Sequence, residues 1–233
     1  PDFRHDRKKE RVLEASEPIF QALGISDHLG KLKPSRSEKF IQVNEFLKII
    51  DQLPQLSSKS ISMVDLGCGN AYLTFAAHQF ISKKGSQPHT IGVDSRESSR
   101  KRNIDIKSKV ILVAPCCHHD IQSQMKSRTF EIPEAWNSVL RHGILRERVG
   151  DIVTDAIRAQ VLRILGYETD VIEFIASEHT PRNLMIRAIF TGRPATQKDF
   201  QELDSIIGQW QLRPHLVVLL AEAIAAQRQK VLS

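Results

Sequence analysis

The chain has 233 residues, 41% hydrophobic and 26% charged, with a formal net charge of +6 and a pI near 9.3. That length allows one large domain, or a domain with a small appendage, and the composition is that of a globular protein. No apolar run approaches the roughly 18 residues of a membrane helix. The charged start, Arg4-His5-Asp6-Arg7-Lys8-Lys9-Glu10-Arg11, is not followed by an apolar stretch of signal-peptide type, so a cytoplasmic protein with no membrane partner is expected. Cys68, Cys116 and Cys117 are odd in number and two are adjacent, which argues against a disulfide framework. The basic balance suits an anionic partner such as RNA, and equally suits plain solubility. The basic residues form local groups, Arg4–Arg11, Arg96–Lys109 and Arg141–Arg148, rather than one tail.

In chain order, residues 7–22 read as a helix with Val12, Leu13, Ile19, Phe20 and Leu23 as apolar positions, ended by Gly24. Gly30 to Pro34 is a loop. Residues 37–51 form an amphipathic helix: Phe40, Val43, Phe46, Leu47 and Ile50 recur at helical spacing, with Lys39, Gln42 and Asn44 placed on the surface. After a polar linker, Ile61 to Leu66 is a buried strand running into a glycine-rich turn. A helix is expected from about Ala71 to Ser82, a strand at Thr90–Asp94, and a helix from Ser95 to about Asn103. This β-α-β-α order argues for an α/β sheet.

Val110 to Pro115 is a further buried strand, followed by about 30 mostly polar residues anchored by Trp136, Val139 and Leu140. A long helix is expected over Asp151–Leu165, stopping at Gly166. Strands are expected at Thr169–Ile175 and Leu184–Phe190, and a terminal helix from Leu216 to Gln227.

The turn Asp65-Leu66-Gly67-Cys68-Gly69-Asn70 carries the strongest chemical signal. Gly67 and Gly69 permit a sharp turn and let a ligand approach the backbone, where the N–H groups of the next helix face it. Asp65 either accepts from an ammonium group of the ligand or orders the turn itself. A dinucleotide fingerprint needs a third glycine at position 72, and that position is Tyr. A nicotinamide oxidoreductase is therefore disfavoured. S-adenosylmethionine (SAM) has no pyrophosphate and tolerates this helix start. Asp94, 25 positions after Gly69, is placed to hold the ribose hydroxyls, flanked by Ser95 and Arg96 near the adenine. The cofactor-binding set is Asp65, Gly67, Cys68, Gly69, Asn70, Asp94, Ser95 and Arg96.

Pro115-Cys116-Cys117-His118-His119-Asp120 follows the third visible strand. Zinc ligands are spaced so that their side chains converge, whereas successive residues in extended backbone point to opposite faces. No structural metal is expected. Ligands of open α/β sheets bind beyond the carboxyl ends of the strands, so His118 and His119 are the candidate catalytic proton acceptors. The alternative is that the cysteines pack and the histidines satisfy local backbone. His179, Arg182 and Asn183, between the last two strands, either recognise an acceptor or are merely solvated.

Val64–Phe75, Gly92–Arg96, Ala114–Asp120 and Ser177–Asn183, with Lys39–Phe46 in the N-terminal helix, together resemble a family of bacterial and plant class I methyltransferases. That family is related to the acceptor-stem tRNA ribose methyltransferases and to methyltransferase-like proteins sharing the Cys-Cys-His element. The resemblance implies a Rossmann-like class I sheet with an antiparallel final strand and N-terminal helices. It implies a SAM-dependent methyltransferase acting on RNA, with SAM as cofactor. The zinc-finger modules of the tRNA enzymes have no counterpart in this sequence. The expected organisation is a helical extension at 1–55, a SAM-binding domain at 56–192 and a helical segment packed on it at 193–233.

One departure from that family is large. Only residues 95–109 separate Asp94 from Val110, where the class I sheet places two more strands with their helices, on the order of 50–70 residues. Two strands are therefore expected to be absent. Either a segment is missing near Ile106–Lys109, or the protein carries a natural deletion. The second case favours the alternative function, a catalytically degenerate methyltransferase-fold module that binds RNA or a protein partner.

Overall fold

The structure is a computed structural model that describes residues 11–66, 72–93, 109–115, 117–127, 134–175 and 183–232. The chain divides into two compact units. The first comprises residues 1–107 and 174–181, the second residues 108–173 and 182–233.

In the first unit, helix α1 is Pro18–Ala22; residues 11–17 are not helical, which corrects that part of the helix expected over 7–22, while 7–10 lie outside the described residues. Proline has no N–H, and its ring clashes with the carbonyl four residues back, so it opens a helix and does not sit inside one. The turns before it are tied down otherwise. The N–H groups of Val12 and Leu13 both donate to Asn44 Oδ1 at 2.9 Å, and Leu13 is buried. Asn44 belongs to α2 (Ser37–Asp51), whose buried face carries Phe40, Val43, Leu47 and Ile50. The expectation of a surface Asn44 fails because this buried amide accepts the two backbone donors and gives its own N–H to Phe40 O. Phe20 and Phe40 meet edge to face, 5.0 Å between centroids.

Strand β1 (Ser60–Leu66) and strand β2 (Gln87–Val93) pair in parallel, in register from Ser60↔Gln87 to Leu66↔Val93. Helix α3 (Tyr72–Lys83) is their crossover and buries Ala76, Ala77, Phe80 and Ile81. Parallel strands require such a crossover. β2 begins three residues earlier than read from sequence, because Gly85, at φ +88°, turns the chain straight into it.

In the second unit three strands form an antiparallel sheet in the order β3 (Val110–Val113), β5 (Leu184–Phe190), β4 (Tyr167–Glu173). β5 is antiparallel to both neighbours, with Val113 opposite Ile186 and Tyr167 opposite Phe190. β4 sits two residues earlier than expected, since Gly166 (φ +95°) makes the turn after the long helix in one step.

The stretch after β3 holds more helix than its polarity suggested: α4 (His119–Lys126), α5 (Asn137–Leu140) and the start of α6 (Gly143–Ile164). Ile121 and Met125, four residues apart, are both buried, so α4 needs only a narrow apolar stripe. The stretch expected to be helical at 193–233 holds α7 (Gln197–Trp210), for which no bounds were read, and in place of one terminal helix over Leu216–Gln227 it holds two, α8 (His215–Leu219) and α9 (Ala221–Leu232). These helices build one core with α6: Ile121, Met125, Val153, Ile157, Val161, Ile164, Phe200, Leu203, Trp210 and Ile224 are all buried in it. Trp136 stacks edge-on to Trp210, 5.0 Å between centroids.

Among the described residues β1 pairs with β2 alone and β3 with β5 alone. A strand of four apolar residues reads as buried on both faces. Yet Val110, Ile111 and Leu112 are half-buried and Val113 is exposed. The expected helix from Ser95 to Asn103 lies outside the described residues, as does the junction at 106–108. No described helix is long and apolar enough to cross a membrane.

Candidate functional site

Asp65, the residue before the end of β1, lies opposite Gly92 of β2; Ile61, Met63, Val64 and Asp65 are half-buried and Ser60 and Ser62 exposed, where the sequence led to a buried strand. Tyr72 is the first residue of α3. Between them lie Gly67, Cys68, Gly69 and Asn70, and beyond β2 lie Asp94, Ser95 and Arg96. All seven cofactor candidates are outside the described residues, so of that set Asp65 alone has a described environment.

Asp65 is held from the helix side. The Thr74 hydroxyl donates to Asp65 Oδ2, and four residues on, His78 Nδ1 meets the Thr90 hydroxyl of β2 at 2.8 Å. Thr74 and His78 share one face of α3, since residues four apart are neighbours on a helix, so that one face fixes both parallel strands. The sequence reading missed Thr74. Its signal was a hydroxyl in the first turn of the helix that follows the glycine turn.

A third group reaches the start of α3 from α2. Lys39 Nζ lies 5.1 Å from the centre of the Tyr72 ring and donates to Gln42 Oε1 at 3.2 Å.

In the second unit, His118 is buried at 7% exposure, just before α4. Its Nε2 lies 3.0 Å from Asp155 Oδ2 of α6, while Nδ1 is 3.6 Å from Asp151 Oδ1 and has no hydrogen-bond partner. Asp155 also receives Arg158 Nη1 at 2.8 Å, and Arg158 Nη2 reaches back to the carbonyl of Cys117 at 2.6 Å. Asp151 accepts from Gln122 of α4 at 2.6 Å. Asp151, Asp155 and Arg158 recur at four- and three-residue spacing on α6 and bind Cys117, His118 and Gln122, at and just before the start of α4, to that helix. That spacing was legible in the sequence. Its partner was not, because nothing local joins Asp155 to a histidine 37 positions away.

His119 is exposed, and so is Cys117. Cys116, His179 and Arg182 lie outside the described residues. Asn183 Nδ2 donates to Glu173 Oε1 at 2.5 Å across the β4–β5 end. No group of three or more His, Cys, Asp or Glu side chains converges as a metal site among the described residues.

Residues 38–110 match a protein-family model described as a methyltransferase domain. The match runs from the first turn of α2 to the first residue of β3, and so takes in the glycine turn, both parallel strands and Asp94. It supports a methyltransferase domain in a mixed α/β fold, with methyl transfer in general as its chemistry. No curated protein and no solved structure matches the chain.

Proposed function

We propose that the protein is a SAM-dependent methyltransferase acting on RNA, a cytoplasmic relative of the class I enzymes that carry the Ala-Pro-Cys-Cys-His-His element. The observation that carries this reading is the parallel β1–α3–β2 unit, with its Gly-Cys-Gly-Asn turn, inside the stretch that matches a methyltransferase domain. The residues present fit such a cofactor. The turn offers small residues and helix N–H groups, Asp65 is a fixed acceptor at the strand end, and Asp94 is an acidic group two residues past Gly92. Gly67, Cys68, Gly69 and Asn70 would hold the methionine end, and Asp94, Ser95 and Arg96 the nucleoside.

SAM supplies a methyl group on a sulfonium, already activated for transfer. The protein then has chiefly to orient the acceptor and exclude competing water. His118 and His119 are the proposed proton-handling pair. His119 is the one open to an acceptor, while His118, engaged by Asp155, sets the position of its neighbour. The RNA assignment rests on the net charge of +6 and on exposed basic residues such as Arg141 and Arg148, which suit a phosphate backbone.

Transfer of tritiated methyl from SAM into total RNA, with protein extract as the parallel acceptor, tests the reading. Label in RNA is expected, and label in protein alone overturns the acceptor. Asp94→Ala is expected to weaken SAM binding in calorimetry; unchanged binding removes Asp94 from the site.

The second reading, a degenerate methyltransferase fold that binds RNA or a protein without catalysis, is favoured by one observation. Among the described residues β1 and β3 each pair on one side only, which fits a sheet short of two strands. SAM binding without transfer into any acceptor supports this reading.

A further inference from the structure

We infer that Lys39 is a cofactor-binding residue, its ammonium group taking the carboxylate at the amino-acid end of the cofactor, with Gln42 and Tyr72 holding it in place; this rests on the SAM reading above. Lysines on a helix surface are ordinarily solvated or paired with a nearby acid. The others on α2 and α3 conform: Lys48 pairs with Glu45 at 2.9 Å and Lys83 with Glu17 at 2.5 Å. Lys84, at the end of α3, pairs with Asp51 at 2.7 Å.

Lys39 is different in three respects. Among the described residues it has no carboxylate partner. It is half-buried, and drawing a charge out of water without a counter-ion is unfavourable. It is also aimed, because it lies over the Tyr72 ring and bonds to Gln42. A cation on a ring face keeps a fixed direction, and the amide oxygen of Gln42 takes one of its three hydrogens. Two donors are left for a ligand.

Tyr72 is the first residue of α3, so the ammonium lies at the N-terminal end of that helix, whose first N–H groups also favour an anion. The carboxylate of an amino-acid side arm is the anion such a site lacks. Lys39 is also inside the matched stretch, which begins at residue 38 and not at the strand, so α2 is part of the domain.

The test compares two ligands of the full chain by calorimetry. S-adenosylhomocysteine keeps the carboxylate, and 5′-methylthioadenosine has the same nucleoside without the amino-acid arm. Lys39→Met is expected to weaken the first roughly tenfold, as for a lost charged hydrogen bond, and to leave the second within about twofold. Lys39→Arg is expected to recover most of the loss. Thermal melts of the variants show that each is folded. Equal loss for both ligands, or no loss for either, in a wild-type background that binds both, overturns the assignment of Lys39 alone. A wild-type chain that binds neither ligand overturns the SAM reading and this one together.

Discussion

The hydroxyl of Thr74 donates to the carboxylate of Asp65, joining the first turn of α3 to the last turn-facing residue of β1. The sequence left two roles open for Asp65, a ligand acceptor or a support for the turn. This contact shows that one carboxylate oxygen is taken within the fold. Asp65 keeps a second oxygen, and a carboxylate has lone pairs to spare, so Thr74 orients the acid without consuming it.

Thr74→Val keeps the shape and removes the donor. It is expected to weaken SAM binding by about threefold to tenfold, the worth of one ordinary hydrogen bond, while Thr74→Ser stays close to wild type. Calorimetry of the three proteins decides the point. A valine variant with wild-type affinity and a lowered melting temperature would make the contact purely structural.

His118, Asp155 and Arg158 make the second polar centre, and its chief expected effect is on stability. Asp155→Ala leaves a buried imidazole and a half-buried guanidinium without their acceptor. Breaking such a pair from one side is expected to cost about 3 kcal/mol, read as a lower urea midpoint. His119→Ala, on an exposed position, is expected to leave the midpoint unchanged and to lower methyl transfer. If His118→Gln lowers transfer as His119→Ala does while the midpoint holds, His118 acts in the chemistry and not in anchoring.

Helix α4 crosses α6 at Gly150, where a side chain would place its first carbon 3.0 Å from Gln122 Cγ and 3.4 Å from Gln122 Cα. Gln122 is also the donor to Asp151, so it cannot swing away without breaking that bond. Gly150→Val is expected to destabilise by about 1–3 kcal/mol, as overpacking does, and to disturb His118 through Asp151. Denaturant unfolding measures the first effect, and the histidine resonances of the variant report the second.

Much of the first unit was legible because its signals are local. The helix Ser37–Asp51 follows from apolar spacing, and the strand–turn–helix at 60–83 from an apolar run ending in glycines. Asn44 was misplaced because a polar residue on an apolar face looks like a surface residue until its donors, 31 and 32 positions away, are known. The second unit was read less well for a similar reason. α4 and α7 are mostly polar, so neither stands out by hydrophobicity, yet both carry a helical stripe: Ile121 and Met125 in α4, and Phe200, Leu203, Ile207 and Trp210 in α7, recur at three- and four-residue spacing and meet in the core. In the candidate site, the strand-end acid and the histidines were proposed from their position alone. Thr74 and Asp155 could not be, because each takes its meaning from a partner on another element.

Asp199 gives the fold a defined acid response. It closes a capping box with Thr196, accepting from its N–H and its hydroxyl at 2.8 Å each, and Arg193 Nη2 lies 2.7 Å from the same carboxylate. Burial alone pushes the Asp199 carboxyl up, but the Thr196 donors and the Arg193 guanidinium outweigh it and hold the acid below the usual carboxylate range. A carboxyl depressed in the folded state adds stability above its unfolded pKa, near pH 4, and that contribution is lost as the pH falls through the lower folded value. Asp199→Asn has no such proton to gain, so its stability should vary less with acid. At neutral pH the variant is expected to be less stable by about 1–2 kcal/mol, the range for loss of a helix cap. Between about pH 5 and pH 2 the wild-type urea midpoint is expected to fall towards that of the variant. Two midpoint curves that stay parallel over this interval would show that Asp199 is not depressed in the folded protein.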